Sequence, residues 1–256
     1  FNDEYEEKNQ LYAGDISFIG SMYNEKHNLY DRLCGVNDYT KGYLDAIMKV
    51  QRSIYGYFFL ENMLKGDVLD EMMRVCPVKP NEDGVETVQY VYANYFLARR
   101  MATDERTDIL SRVGRELGRE NKINLYTPDA SVRFINVNNK GTVDYYNEMP
   151  YVFRNSRINL NITLRSIKSG IPLRCMDICG AGGFLLSNYQ ADLYDVFVPG
   201  EDMVIYDSID DLMNKCKYYL SHDAERRQIA QNGFGKIEEK HTYDVRFEEI
   251  FNRVFN

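Results

Sequence analysis

Apolar and polar positions change rhythm several times along this 256-residue chain. After an acidic lead, "FNDEYEEKNQ", the run "DISFIGS" (Asp15 to Ser21) predicts a short buried strand that closes on glycine, a common opening for a βα unit. From Tyr39 to about Arg100 the apolar residues recur at i, i+3, i+4 and i+7, as in "YLDAIMKVQRSIYGYFFLENML" and "VETVQYVYANYFLARRMA". That spacing predicts helices, separated by the proline-containing turn "CPVKPNEDG" (Cys76 to Gly84), and it favours core packing for the tyrosines within them. Strand and helix patterns then alternate. Strands are expected at Ile123 to Thr127, Val132 to Val137, Ile158 to Thr163, Gly183 to Tyr189 and Met203 to Tyr206, with helices between them. The tail from Asp223 reads as almost wholly helical, and its last stretch, Arg246 to Phe255, carries an apolar face that needs a partner surface. The fold class expected is α/β, a Rossmann-like doubly wound parallel sheet with an inserted helical segment.

Composition narrows the partners. The chain is 44% hydrophobic and 27% charged, with 21 Tyr, 13 Phe and no Trp, which is ordinary for a globular protein. A formal net charge of -8 argues against a reader of nucleic-acid backbones, which needs a basic stripe. Five cysteines (Cys34, Cys76, Cys175, Cys179, Cys216) form neither a CxxC pair nor a zinc-type spacing, so reduced thiols and a cytoplasmic location are expected. No apolar run approaches the ~18 residues that span a bilayer. Because the chain opens on Phe1, we expect a piece of a longer protein.

The stretch "GIPLRCMDICGAGGFLL" (Gly170 to Leu186) concentrates candidate chemistry. In an open parallel sheet, ligands bind outside the carboxyl ends of the strands, where amides at helix starts point toward them. The helix opened by Pro172, together with Arg174, would suit a diphosphate, and Asp177 would accept hydrogen bonds from ribose hydroxyls. A second reading of the same residues stands beside it. Gly180, Gly182 and Gly183 end a helix, and Arg174 and Asp177 form an i, i+3 surface ion pair. Neither GxGxxG opening a first βα unit nor GxxxxGK[ST] is present, so nicotinamide-cofactor and P-loop readings lose their usual support. The acids of "DSIDD" (Asp207 to Asp211) read as helix capping, and no metal site is expected.

From Gly170 to Phe251 the chain resembles the glycosyltransferase group 1 domain of the spore-maturation CgeB-like proteins. The shared features are Gly-Ile-Pro, an Arg before an acid, the strand Gly-Gly-Phe-Leu-Leu, the turn Phe-x-Pro-Gly-Glu, an Ala-x-x-Gly helix and a final His-Thr-Tyr. The resemblance implies the C-terminal, donor-binding half of a GT-B glycosyltransferase, transferring sugar from a nucleotide-diphosphate donor to an acceptor without a metal or other cofactor. It implies a nucleotide-sugar-binding domain at 13–241, with the helical insertion at about 38–104, and a crossover-type helix at 242–256. The acceptor-binding half, which would hold part of the catalytic machinery, lies outside this chain. Asp177 stands where the family has the second of two glutamates, while Ser169 stands where it has the first. In "GSMYNEK", Gly20 closes the first strand, Ser21 occupies the place of the family's arginine and Lys26 that of its lysine, so Arg174 is the replacement positive charge. Asn161 and Thr163 at a strand end, and Tyr126 where a base rests, complete the implied donor site. Arg165 and Lys168 flank the same loop as further positive charge, and His27 follows Lys26. Two other readings remain open: a degenerate glycosyltransferase fold serving protein interaction, and a non-glycosyl nucleotide-binding regulator.

Overall fold

The computed structural model describes residues 2–24, 28–82 and 84–255. The elements in chain order are α1 (Asn2–Tyr12), β1 (Gly14–Ile19), α2 (Asp38–Arg52), α3 (Leu60–Met63), α4 (Gly66–Val75), α5 (Val88–Val91), a π-helical segment (Tyr92–Leu97) and α6 (Ala98–Leu117). They continue with β2 (Ile123–Tyr126), β3 (Val137–Asn139), α7 (Met149–Asn155), β4 (Ser156–Asn161), α8 (Leu173–Gly180), β5 (Leu185–Asn188), β6 (Val204–Tyr206), α9 (Ile209–Ser221), α10 (Asp223–Lys240) and α11 (Tyr243–Phe255).

The chain divides into two compact units. The first holds the described residues up to Gly20, Ser111–Ile162 and the chain from Gly170 onward. Its six described strands form one sheet in the order β3-β2-β1-β4-β5-β6, and every pairing is parallel. This is a Rossmann-like α/β sheet with flanking helices, and its connection order reverses between β1 and β4. A parallel sheet is covered on both faces, so β2, β4 and β5 are buried almost throughout, their apolar residues interleaved with buried Asn124, Asn159, Asn161, Ser187 and Asn188. Packed against the sheet is a core that includes Phe153, Cys175, Ile178, Leu185, Phe197 and Met203.

One buried polar residue ties the sheet together. Asn159 accepts from the Ser17 hydroxyl at 2.8 Å and donates to the carbonyls of Phe153 at 2.9 Å and Phe184 at 3.3 Å. The end of α8 is shaped around it. Gly183 N–H bonds the Ile178 carbonyl and Gly182 N–H the Cys179 carbonyl, both at 2.9 Å, a Schellman ending with Gly182 in the left-handed region at φ +77°. A Cβ on Gly183 would stand 2.7 Å from the Phe153 carbonyl oxygen and 2.8 Å from Asn159 Nδ2, so strand and helix approach only because that position is glycine.

The second unit, Ser21–Leu110 with Thr163–Ser169, is helical. Leu44, Leu60, Met72, Tyr92, Leu97 and Met101 lie in its core. Tyr92 is fully buried and donates to the Cys76 carbonyl, while Tyr39 and Tyr57 remain exposed, so only part of the tyrosine content serves packing.

The extended piece expected at Val132 to Val137 lies elsewhere. Asp129 accepts from the Ser131 amide at 2.8 Å and its carbonyl receives Val132 N–H, which makes a turn of that segment and delays β3 to Val137–Asn139.

Candidate functional site

In the first unit the order of connections reverses between β1 and β4, and ligands of open α/β sheets bind outside the carboxyl ends of strands at such a point. β4 ends at Asn161 and α8 starts at Leu173, with Pro172 as its N-cap and no side chain capping it. The amides of Leu173 and Arg174 make no hydrogen bond among the described residues, so α8 begins with two free donors.

Arg174 and Asp177, one turn apart, face each other at 3.5 Å with side chains 27% and 23% exposed. The Arg174 guanidinium also touches Met149 Sδ and lies 5.5 Å from the centre of the Phe153 ring. Asp177 accepts a second bond, 2.8 Å from the Tyr145 hydroxyl, and that bond to a carboxylate pushes the Tyr145 phenol above its ordinary range. Tyr145 is presented by a turn in which Asp144 Oδ1 accepts from the amides of Tyr146 and Asn147. Tyr145 was missed in the sequence, whose only hint is the tyrosine pair of "VDYYNE" directly after a turn-forming aspartate.

Below this surface Asn161 is buried and donates to Ser187 Oγ at 2.9 Å and Cys175 Sγ at 3.3 Å. Burial pushes the Cys175 thiol up to about 12, which leaves it neutral and inert as a nucleophile. Tyr126, at the end of β2, is also buried, and its phenol is pushed up to about 12 by burial and by the charge of Glu148. Neither its hydroxyl nor that of the adjacent buried Thr127 has a hydrogen-bond partner among the described residues. Gly20 closes β1, and its amide bonds the Tyr126 carbonyl at 3.0 Å.

The structure thus brings together Arg174 with Asp177, Asn161 with the Cys175 of α8, and Gly20 with Tyr126. Ser21 and Thr163 belong to the second unit, while Lys26 and His27 lie outside the described residues. Within that second unit Ser21 Oγ accepts from the Tyr23 amide at 3.0 Å, and Thr163 is buried. Arg165 is buried beside Glu105 at 2.6 Å and over the Tyr55 ring, with Nη1 unpartnered among the described residues, and Lys168 pairs with Glu61 at 2.6 Å.

Chemically, the start of α8 offers an anion two amides and a guanidinium, and Asp177 offers hydroxyl groups an acceptor. Among the described residues, no group of three His, Cys, Asp or Glu side chains is placed to hold a metal ion, and no helix is long and apolar enough to cross a membrane.

A family model described as "Glycosyl transferase-like" matches residues 99–252. Among solved structures, the chain is similar to that titled "Crystal Structure of TarM", at 16% identity and a TM-score of 0.46, over 57% of this chain and 32% of that one. The chain therefore spans about a third of the length of TarM. No curated protein matches it.

Proposed function

The chain belongs to the glycosyl transferase-like family, and from that premise we propose that its first unit is the donor-binding half of a GT-B glycosyltransferase. The substrate is a nucleotide-diphosphate sugar held at the start of α8. The observation that carries this reading is the pair of free amides at Leu173 and Arg174, beside a half-buried guanidinium and carboxylate, following the strand at the reversal point.

In this reading the diphosphate takes the two amides and Arg174, and the ribose hydroxyls donate to Asp177. The Arg174–Asp177 pair must open to admit them. At 3.5 Å and partly exposed, such a pair is worth about 0–1 kcal/mol, less than the charge-assisted bonds that replace it. Tyr145 stays bonded to Asp177 and fixes which oxygen faces the sugar ring. As the bond to the nucleoside diphosphate breaks, negative charge gathers on the leaving phosphate, and donors already aimed at it favour the transition state most. Donors of this kind do the work a metal would, and transfer in this reading proceeds without one. The acceptor and part of the catalytic machinery belong to a further half, which covers the exposed aromatic face of α11 (Tyr243, Phe247, Phe251 and Phe255). A cytoplasmic location is part of this proposal, and five free cysteines support it because they suit a reducing compartment.

Thermal unfolding with a panel of nucleoside diphosphates and their sugars tests the reading. A ligand at a hundred times its Kd stabilises by about 2.7 kcal/mol, and Arg174→Ala and Asp177→Ala are expected to remove that gain. Unfolding that no nucleotide shifts at millimolar concentration would overturn it. The Arg174–Asp177–Tyr145 contacts, which close the site on itself, favour the second reading, a non-catalytic interaction module, and that result would move the assignment there.

A further inference from the structure

A cleft of about 340 Å³ opens at the amino end of the sheet in the first unit. It is lined by Arg154 of α7, Ser156 and Arg157 at the start of β4, Gly182 after α8, and Arg226 and Arg227 of α10. Among the described residues no carboxylate lines it, although the whole chain carries a net charge of -8. The acids that reach these arginines are Asp15, 3.1 Å from Arg157, and Asp223, which bonds Arg157 at 2.8 Å, Arg227 at 3.0 Å and Arg226. Three of the four guanidiniums therefore share two carboxylates, and Arg157 and Arg226 hold the Asp223 carboxyl far below its ordinary range.

Two independent features point to a missing ligand. Arg226 is 5% exposed, and only its Nη1 is engaged, by Asp223 and the Tyr219 carbonyl, while exposed Arg154 has no ion pair or side-chain hydrogen bond among the described residues. Ser156 is also 5% exposed, and its hydroxyl has no hydrogen-bond partner among the described residues. Buried hydroxyls are nearly always satisfied, so the unpartnered one of Ser156, a residue that lines this arginine cleft, marks the place of an acceptor. The mouth stays clear because nothing lies within 4 Å of where a Cβ on Gly182 would stand.

We propose that this cleft binds a soluble phosphate ester. Its phosphoryl oxygens accept from Arg154, Arg226 and the Ser156 hydroxyl, and its organic part fills the volume a bare phosphate would leave to water. The fork of a guanidinium matches phosphate oxygens in pairs, and two positive charges in excess match a dianion. This site is separate from the start of α8, since Ser156 opens the strand that Asn161 closes, on the order of 17 Å along β4.

Pyrophosphate, glycerol 3-phosphate and vesicles containing phosphatidic acid are titrated, at constant ionic strength, against the Arg174→Ala chain, in which the first anion site is weakened. The two soluble probes are expected to bind, and adding Arg154→Ala or Ser156→Ala is expected to weaken that binding at least about tenfold. Unliganded Ser156→Ala should melt as its parent does, because it loses no bond, which separates a binding defect from a folding one. Failure of Arg174→Ala to bind either soluble probe, binding untouched by Arg154→Ala and Ser156→Ala, or a response to the vesicles alone would overturn the proposal.

Discussion

The two ends of β4 hold charge differently. At the carboxyl end one arginine meets one aspartate, a tyrosine hydroxyl completes the aspartate, and the group is close to neutral. At the amino end four arginines line one cleft, three of them paired with two aspartates, and a buried serine hydroxyl has no partner among the described residues. A neutral, partly exposed pair is inexpensive to open and leaves both members ready for a ligand that carries phosphate and hydroxyls together. A surplus of guanidinium needs no opening and suits an anion alone. Charge balance, more than the number of charges, separates the two ends.

The largest disturbance removes the structure that both ends share. Gly183→Ala drives a methyl into the Phe153 carbonyl and the Asn159 amide, and we expect a loss of about 3 kcal/mol in urea unfolding, with both binding responses weakened together. If the loss stays under about 1 kcal/mol, the two ends are not coupled through this contact. Next is Asp223→Asn, which leaves buried Arg226 without its counter-charge. A cost of about 2 kcal/mol at neutral pH is expected, discounted from a buried pair because the Asp223 side chain is 45% exposed. The folded carboxyl titrates below its unfolded value, so its contribution is fully present above about pH 4 and fades as pH falls. Acid unfolding of Asp223→Asn should therefore be flatter below that pH than that of the parent, whereas parallel curves would mean the arginines do not hold the carboxylate. The smallest effect is at the other end. Tyr145→Phe removes one bond to a partly exposed carboxylate, and about 1 kcal/mol or less is expected, together with loss of one of the tyrosines that titrate above the ordinary range in an alkaline absorbance scan.

Much of this was legible in the chain. Short clusters of apolar residues at strand length announced β1, β2, β4, β5 and β6, although buried Ser17, Asn124, Asn159, Asn161, Ser187 and Asn188 interrupt them. Gly182 and Gly183 announced the end of α8, since a left-handed residue and a close approach both call for glycine. Arg174 and Asp177 were legible as a pair at helical spacing. β3 was misplaced because a turn at Asp129 consumed residues that read as extended. Tyr145 was not legible, since its partner Asp177 is 32 residues away and nothing local binds the two. The arginine cleft was hidden for the same reason: Arg157 and Asp223 are 66 residues apart, and each arginine taken alone reads as a solvated surface charge. The π-helical turn at Tyr92–Leu97 left no mark in the apolar spacing, because a single wider turn shifts the helical face without changing residue type.

The strand order also sets a timetable. β1 is made first, yet its neighbours are β2, which begins at Ile123, and β4, which ends at Asn161. The centre of the sheet therefore cannot close until the long stretch from β1 through β4 has been synthesised, and at about 5–20 residues per second β1 waits several seconds or more for its partners. Pairings this distant in sequence are slow to form. During that interval an apolar strand has both hydrogen-bonding edges bare, so recovery of this protein should depend on how fast it is made and on what shields a nascent strand.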